Sequence, residues 1–526
     1  MKRLLIILLA ITSPLFSQTL TYGFSNEFET IKKHDDLGFY NFEGKEYAEV
    51  YLRKGHDMIF QIFDEDFKNV KKQETVLLPG DSRYFENEGL FNVKSRFFWF
   101  YSTWDRSAET ERLFALPFDK ASMKFETNEI KLIETRRLDP LQKYRFSYST
   151  DSTKLLVTYR VKPIEKRDKL NKDIIGFNLF DHHMNKLYSA EIEMPYSEYD
   201  MDNLAYEVDT RGNIYMLTKV RINNSLDGEV DRETKNGYRY ELIRVNQKEN
   251  ILQRIKINLD NKFTNSAILA EDLEHNIVIA GYYSDVKNGQ GSNGAYIIRL
   301  EYDENNAVKD FRKTYCEFPA ETLKAYESAR SRRKMDKKDQ NGELEASNLV
   351  LKNVVFNDDG SVILIGEEYY VITQTNYYYV GNGMSSSYTT RTYYYNDILV
   401  LKADKDGKTL WCNKIPKQQS GTTTYDLSYH HHNYEGEDYF FYLDNIKNIN
   451  LPLTEVPAYY AGRGGSYLTC VKIDKNGKME KRSVFNIRDE DVAIYPRSFE
   501  SVANNLIVDR LRADRHESKI FKLEIK

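Results

Sequence analysis

One short pattern recurs along this chain from end to end: an apolar strand, a polar turn, and a second strand. It is clearest at residues 399–408, LVLKADKDGK, and 469–478, TCVKIDKNGK. Weaker copies lie at 60–70, 114–125, 176–187, 242–252 and 298–308. The last residues, SKIFKLEIK, are a copy cut off before its turn. Such repetition constrains a fold more than any single motif, because each unit buries its apolar face against a neighbour.

Another apolar strand precedes each copy, at 97–101, 155–161, 214–220, 277–283, 362–370, 439–443 and 506–511. Several follow tight turns such as Thr210-Arg211-Gly212-Asn213 and Asp358-Asp359-Gly360-Ser361. Gly, Asn and Asp supply the positive φ that these turns require. Each unit therefore reads as a four-stranded antiparallel blade, and the chain as an all-β protein, a single β-propeller. The third strand of the unit is the best marker. It falls at 58–63, 112–118, 174–180, 240–245, 296–300, 398–401, 468–473 and 520–525. Eight blades are expected. Seven is the alternative, because the unit at 39–78 is poorly formed. The last unit lacks a fourth strand, and Leu20–Phe24 is expected to supply it and close the ring, removing the exposed edges. A stacked β-solenoid fits less well, since the units are long and antiparallel. No Pro/Gly/Ser-rich linker divides the chain.

Residues 1–17 read as a signal peptide. Lys2 and Arg3 precede an apolar run at 4–11, far short of the ~20 residues that span a bilayer. Cleavage before Gln18 leaves 18–526 as the propeller domain. No cysteine lies near that point to carry a lipid. The formal net charge is −5 with the two signs interspersed, unlike the basic footprint of a nucleic-acid binder. Cys316, Cys412 and Cys470 make an odd count, read as buried free thiols rather than a disulfide scaffold. The 40 Tyr and 28 Phe suit half-buried strands.

Two insertions break the repeat within one unit. Residues 320–347 are rich in Ala, Glu, Lys and Arg and predict helix. Arg330, Arg332 and Arg333 cluster there, with Lys334, Lys337 and Lys338. The bland reading is a solvated helix or flexible loop; the functional one is an arm that docks an acidic partner or lipid headgroups. Residues 368–396 predict an elongated hairpin with a Gly/Ser-rich tip at 381–387. Its strands carry Tyr377, Tyr378, Tyr379, Tyr388, Tyr393, Tyr394 and Tyr395. Neighbours in a strand point to opposite faces, so an isolated hairpin cannot hide every ring. Tyrosine is a frequent interface residue. The competing reading lays the hairpin back on its own propeller.

Other constellations point to no cofactor and no metal. Asp404-Lys405-Asp406-Gly407 lacks the glycine spacing and distal glutamate of an EF-hand calcium loop, so it reads as a turn. In His430-His431-His432 only the outer pair shares a strand face. Asp426 or Glu435 would have to complete a metal site there. His182-His183 falls in a repeat turn. There is no Gly-x-Ser-x-Gly elbow and no phosphate-cradling loop. A glycosidase-like carboxylate pair is not identifiable among 80 acidic residues.

The KADKDGKTLW and KIDKNGKME turns, and a leader ending in Ser-Gln, resemble those of exported β-propeller repeat proteins of Bacteroidota. The resemblance covers nearly the whole mature chain and concerns the fold. It implies the periplasm or the cell surface. The last residues read as propeller strand where surface cargo of that group usually carries a C-terminal sorting domain, and this departure favours the periplasm or the periplasmic face of the outer membrane. The expected function is a non-catalytic protein–protein interaction platform, a subunit or accessory of a cell-envelope complex. The alternatives are a carbohydrate-binding or carbohydrate-active propeller working at the central channel, and third a metal-dependent hydrolase.

Overall fold

The structure, a computed structural model, describes residues 19–526 apart from 43–45, 54–56, 79–84, 95, 141–142, 164–170, 222–236, 287–290, 304–307, 382–383 and 463–464. The signal peptide expected at residues 1–17 thus lies outside the described residues. Eight antiparallel sheets of four or five strands follow one another along the chain. Their innermost strands are Asp35–Phe42, Phe85–Val93, Arg145–Tyr148, Met201–Val208, Phe263–Glu271, Leu349–Phe356, Tyr429–Tyr434 and Glu500–Ala503. These begin blades 1 to 8 in order. All eight marker strands occupy the third position of their blades. Blade 1, poorly marked in sequence, is a complete four-stranded sheet.

The ring closes with strands from both ends of the chain. Leu20–Phe24 pairs antiparallel with Glu517–Ile525, from Leu20 opposite Ile525 to Phe24 opposite Phe521, as the fourth strand of blade 8. Thr19 and Lys526 exchange backbone hydrogen bonds at 2.6 and 2.9 Å. Tyr22 stacks on Phe485 of blade 7 at 4.7 Å.

The apolar runs follow from how blades pack. Eight buried clusters fill the eight junctions between neighbouring blades, one to each. A middle strand is therefore buried on both faces. Leu155 and Val157 face blade 2, while Leu156 between them faces blade 4. Val362 and Leu364 face blade 5; Ile363 and Ile365 face blade 7. Ile277–Ser284 is buried at every position. Outer strands such as Val70–Leu77 have one wet face and read as polar.

The recurrent turn has a single physical basis. Asp404 Oδ1 accepts the N–H groups of Asp406 at 3.0 Å and Lys408 at 2.8 Å, and Gly407 takes φ +82°. Asp474 repeats this with Asn476, Lys478 and Gly477 at φ +84°. The carboxylates of both loops thus cap backbone amides.

Candidate interaction surface

In an up-and-down blade, the second-to-third turn and the blade-to-blade connection lie on the same face of the ring. Both insertions occupy such positions, at blade 6. The hairpin consists of Val362–Gly381 and Met384–Ala403, 20 residues each. Its blade portion pairs with the inner strand only as far as Glu368. A short strand, Gln419–Gly421, supports the other edge at Tyr393–Tyr395. Beyond these, the ribbon runs from Ile372 opposite Thr392 to Gly381 opposite Met384. No other strand among the described residues pairs with it there. At ~3.3 Å per residue it extends ~35 Å from the ring. The second strand begins at Met384, inside the segment 381–387 expected as the tip.

The base of the hairpin is firmly seated. Tyr370 and Tyr394 stack at 4.7 Å, Tyr369 meets Tyr395 at 4.7 Å, and Tyr459 of blade 7 meets Tyr394 edge-on at 6.4 Å. Beneath them lies a buried ion pair, Lys417 Nζ to Glu367 Oε1 at 2.9 Å. The same ammonium donates to Tyr395 O at 2.7 Å and Gln419 Oε1 at 3.2 Å. Ser428 Oγ donates to Glu367 Oε2 at 2.7 Å. Burial pulls the Lys417 ammonium below its ordinary range, and Glu367 opposes that pull.

The expected contact residues thus divide. Tyr395 is 6% exposed and Tyr393 and Tyr394 are half-buried, so they seat the hairpin. Tyr377, Tyr378, Tyr379 and Tyr388 lie on the projecting part, opposite Ser387, Ser386, Ser385 and Asn376. Val371 and Ile372, adjacent and so on opposite faces, are 39% and 49% exposed.

The arm folds as two helices, α1 (Ala320–Lys324) and α2 (Ala329–Gln340). Ser328 Oγ caps α2 by accepting the Ser331 N–H at 3.2 Å. Lys324 Nζ clamps α2 through Asp336 at 2.9 Å and Asp339 at 2.7 Å. Arg330, Arg332 and Arg333 are exposed, and Arg332 pairs with Glu321 at 2.7 Å. The first turn of α2 has no acidic residue. Its arginines sit where the helix dipole disfavours positive charge.

The opposite face carries a polar depression of about 1010 Å³ over the turns of blades 6, 7 and 8. Asn357, Asn433, Asn504, Asp359 and Glu435 are among its lining. Deeper in the ring, burial and then the nearby Glu271 push the Glu207 carboxyl up to about 8.

The histidine run alternates across its strand. His431 Nε2 meets Asp438 Oδ1 at 2.8 Å, while His432 contacts Ser501 Oγ at 2.8 Å and Asn504 O at 2.6 Å. Burial, then His432, pulls His430 down to about 3. Among the described residues no group of three His, Cys, Asp or Glu is arranged to hold a metal. Cys316 and Cys412 occupy the outer strands of adjacent blades, opposite Ala295 and Leu401. All three cysteines are free; Cys412 is only half-buried. No helix among the described residues is long and apolar enough to cross a membrane.

No known family matches this chain, and no curated protein does. Similar solved structures exist at low identity. Prolyl oligopeptidase B from Galerina marginata is 9% identical, with a TM-score of 0.37 over 93% of this chain. The chain spans 55% of that protein's length. The β-propeller domain of the Trilobed protease from Pyrococcus furiosus is 10% identical, with a TM-score of 0.33 over 87% of this chain and 97% of that one. The WD40 domain of SCAP from fission yeast is 8% identical, with a TM-score of 0.35 over 97% and 94%. These similarities concern architecture, and no residue role is carried across from them.

Proposed function

We propose that this protein is a non-catalytic, exported propeller that serves as an interaction platform in the cell envelope, with the hairpin and α2 as its contact elements. The observation that carries this reading is the ribbon's open state. A lone two-stranded hairpin is marginal in water. Native sheets guard free edges with charge, proline or a covering element. Residues 371–379, VITQTNYYY, have neither charge nor proline, and among the described residues nothing pairs with their edge. Such a strand suits pairing with, or burial against, a partner polypeptide. The positive first turn of α2, unfavourable for the helix itself, supports an acidic surface on that partner. Residues 1–17 support export to the periplasm or the periplasmic face of the outer membrane.

Photo-crosslinking tests this reading. A benzoylphenylalanine at Tyr378 or Tyr388, in cells of the native host, should give one discrete protein adduct. The same probe at Lys309, on the opposite face, should not. Equal adduct patterns at all three positions would refute it. Carbohydrate binding is the second reading, supported by the asparagines and carboxylates that line the polar depression over blades 6, 7 and 8.

A further inference from the structure

A cavity of about 350 Å³ lies where the arm meets blade 6. Along α2 its lining residues are Ser331, Lys334, Met335 and Lys338. That i, i+3, i+4, i+7 spacing is one helix face. Leu323, Leu344, Leu349 and Leu399 complete apolar walls. The floor is polar, and its charges do not balance. Glu327, Glu368 and Asp397 share one ammonium, Lys414. Its three N–H donors are taken by Glu327 Oε1 at 3.0 Å, Asp397 Oδ2 at 2.9 Å and Leu323 O at 3.1 Å. Glu368 makes no direct ion pair among the described residues; the Lys414 charge and a hydrogen bond from Asn396 offset its burial only in part. Burial, and next the Asp397 charge, push its carboxyl up to about 7. Beside it Asn396 Oδ1 is buried without a hydrogen-bond donor.

We propose that this cavity binds a small amphipathic amine, its ammonium against Glu368 and its apolar body between α2 and blade 6. An ammonium supplies what the floor lacks: a direct N–H donor and positive charge for the half-buried Glu368 carboxylate. The volume suits a small ligand. Lys334 and Lys338 are exposed, so their flexible stems carry the charged ends into solvent. This site needs no partner protein and stands apart from the platform reading.

The pH dependence has a defined sign. The groups around Glu368 are Glu327 after α1, Lys334 and Lys338 on α2, Glu345 before blade 6, Asp397 and Lys414 on the blade, and the Tyr370 and Tyr459 phenols. An ammonium binds the ionised carboxylate, so affinity rises with pH through about 7 and binding releases a proton.

Calorimetry with three probes tests the site: tyramine, neutral 4-ethylphenol and anionic 3-(4-hydroxyphenyl)propionate. Tyramine should bind at pH 8 about tenfold more tightly than the phenol, and the propionate not at all. Tyramine should weaken at pH 5.5. Glu368→Gln should lower its affinity about tenfold and flatten the pH profile. Ser331→Trp, which narrows the mouth from a half-buried helix position, should also block binding. Failure of tyramine to bind the native protein at about 10 mM overturns the proposal. So does propionate binding as tightly, or an unchanged pH profile in Glu368→Gln.

Discussion

Replacing Lys417 with methionine should destabilise the protein by about 3–5 kcal/mol, the usual cost of removing one partner from a buried ion pair. Both partners are out of solvent: Glu367 is 0% and Lys417 1% exposed, with 2.9 Å between charged atoms. Methionine keeps the apolar volume but strands Glu367. Ser428 still donates to it. Lys352 at 3.7 Å offsets part of the loss from a more exposed position. Tyr395 O and Gln419 Oε1 each lose a donor, which adds to the cost. Glu367→Gln combined with Lys417→Met removes the stranded charge and should restore all but about 1–2 kcal/mol, since neutral replacement of a buried pair is often tolerated. Urea unfolding of the four proteins of this cycle supplies the comparison, with hydrogen exchange reporting where protection is lost. The loss should concentrate at 366–370 and 393–396, where the hairpin leaves the blade. A single-variant cost below about 1 kcal/mol, or a double variant no better than the single, would refute the reasoning.

Three further outcomes are expected. Phe24→Ala removes a half-buried ring that meets Phe485 at 5.8 Å and Phe521 at 5.7 Å; it should cost about 1.5–3 kcal/mol and raise the tendency to associate through the opened edge, read by denaturation and light scattering. Gly407→Ala forces a Cβ to 2.2 Å from Thr314 Oγ1 at φ +82°; thermal unfolding should show a loss of about 1–3 kcal/mol or more. Glu207 keeps its proton in the fold up to about 8, against 4.5 for an ordinary glutamate. Its contribution is full at low pH and fades as pH rises through about 8. Relative to the native protein, Glu207→Gln should therefore gain stability between pH 5 and 9, by an amount on the order of a few kcal/mol, as urea midpoints across that range would show.

The blade strands were legible because burial on both faces makes them continuous apolar runs, and the strongest turns because Asp and Gly have fixed roles there. Blade 1 was obscure for a physical reason. In its turn, Phe67 takes the left-handed conformation that Gly407 takes elsewhere, with φ +51°. Stacking of its ring on Tyr47 at 4.7 Å and Phe63 at 5.5 Å compensates the strain. Met184 replaces glycine likewise in blade 3, with φ +67°. Composition revealed the hairpin and the arm, but not how they are seated. Tyr459 belongs to blade 7, and Lys417 and Gln419 lie in a connection with no periodic signal. The cavity draws on residues from Leu323 to Lys414, brought together only by the ring.

The most direct test of the account compares affinity capture by the intact mature protein with capture by one in which 371–392 is replaced by a short turn. Both are taken from crosslinked native envelopes, after their unfolding transitions have been shown to agree. The account predicts one envelope protein recovered in stoichiometric amount by the intact chain and lost with the ribbon. The same protein recovered equally by both chains, or none by either, would contradict it.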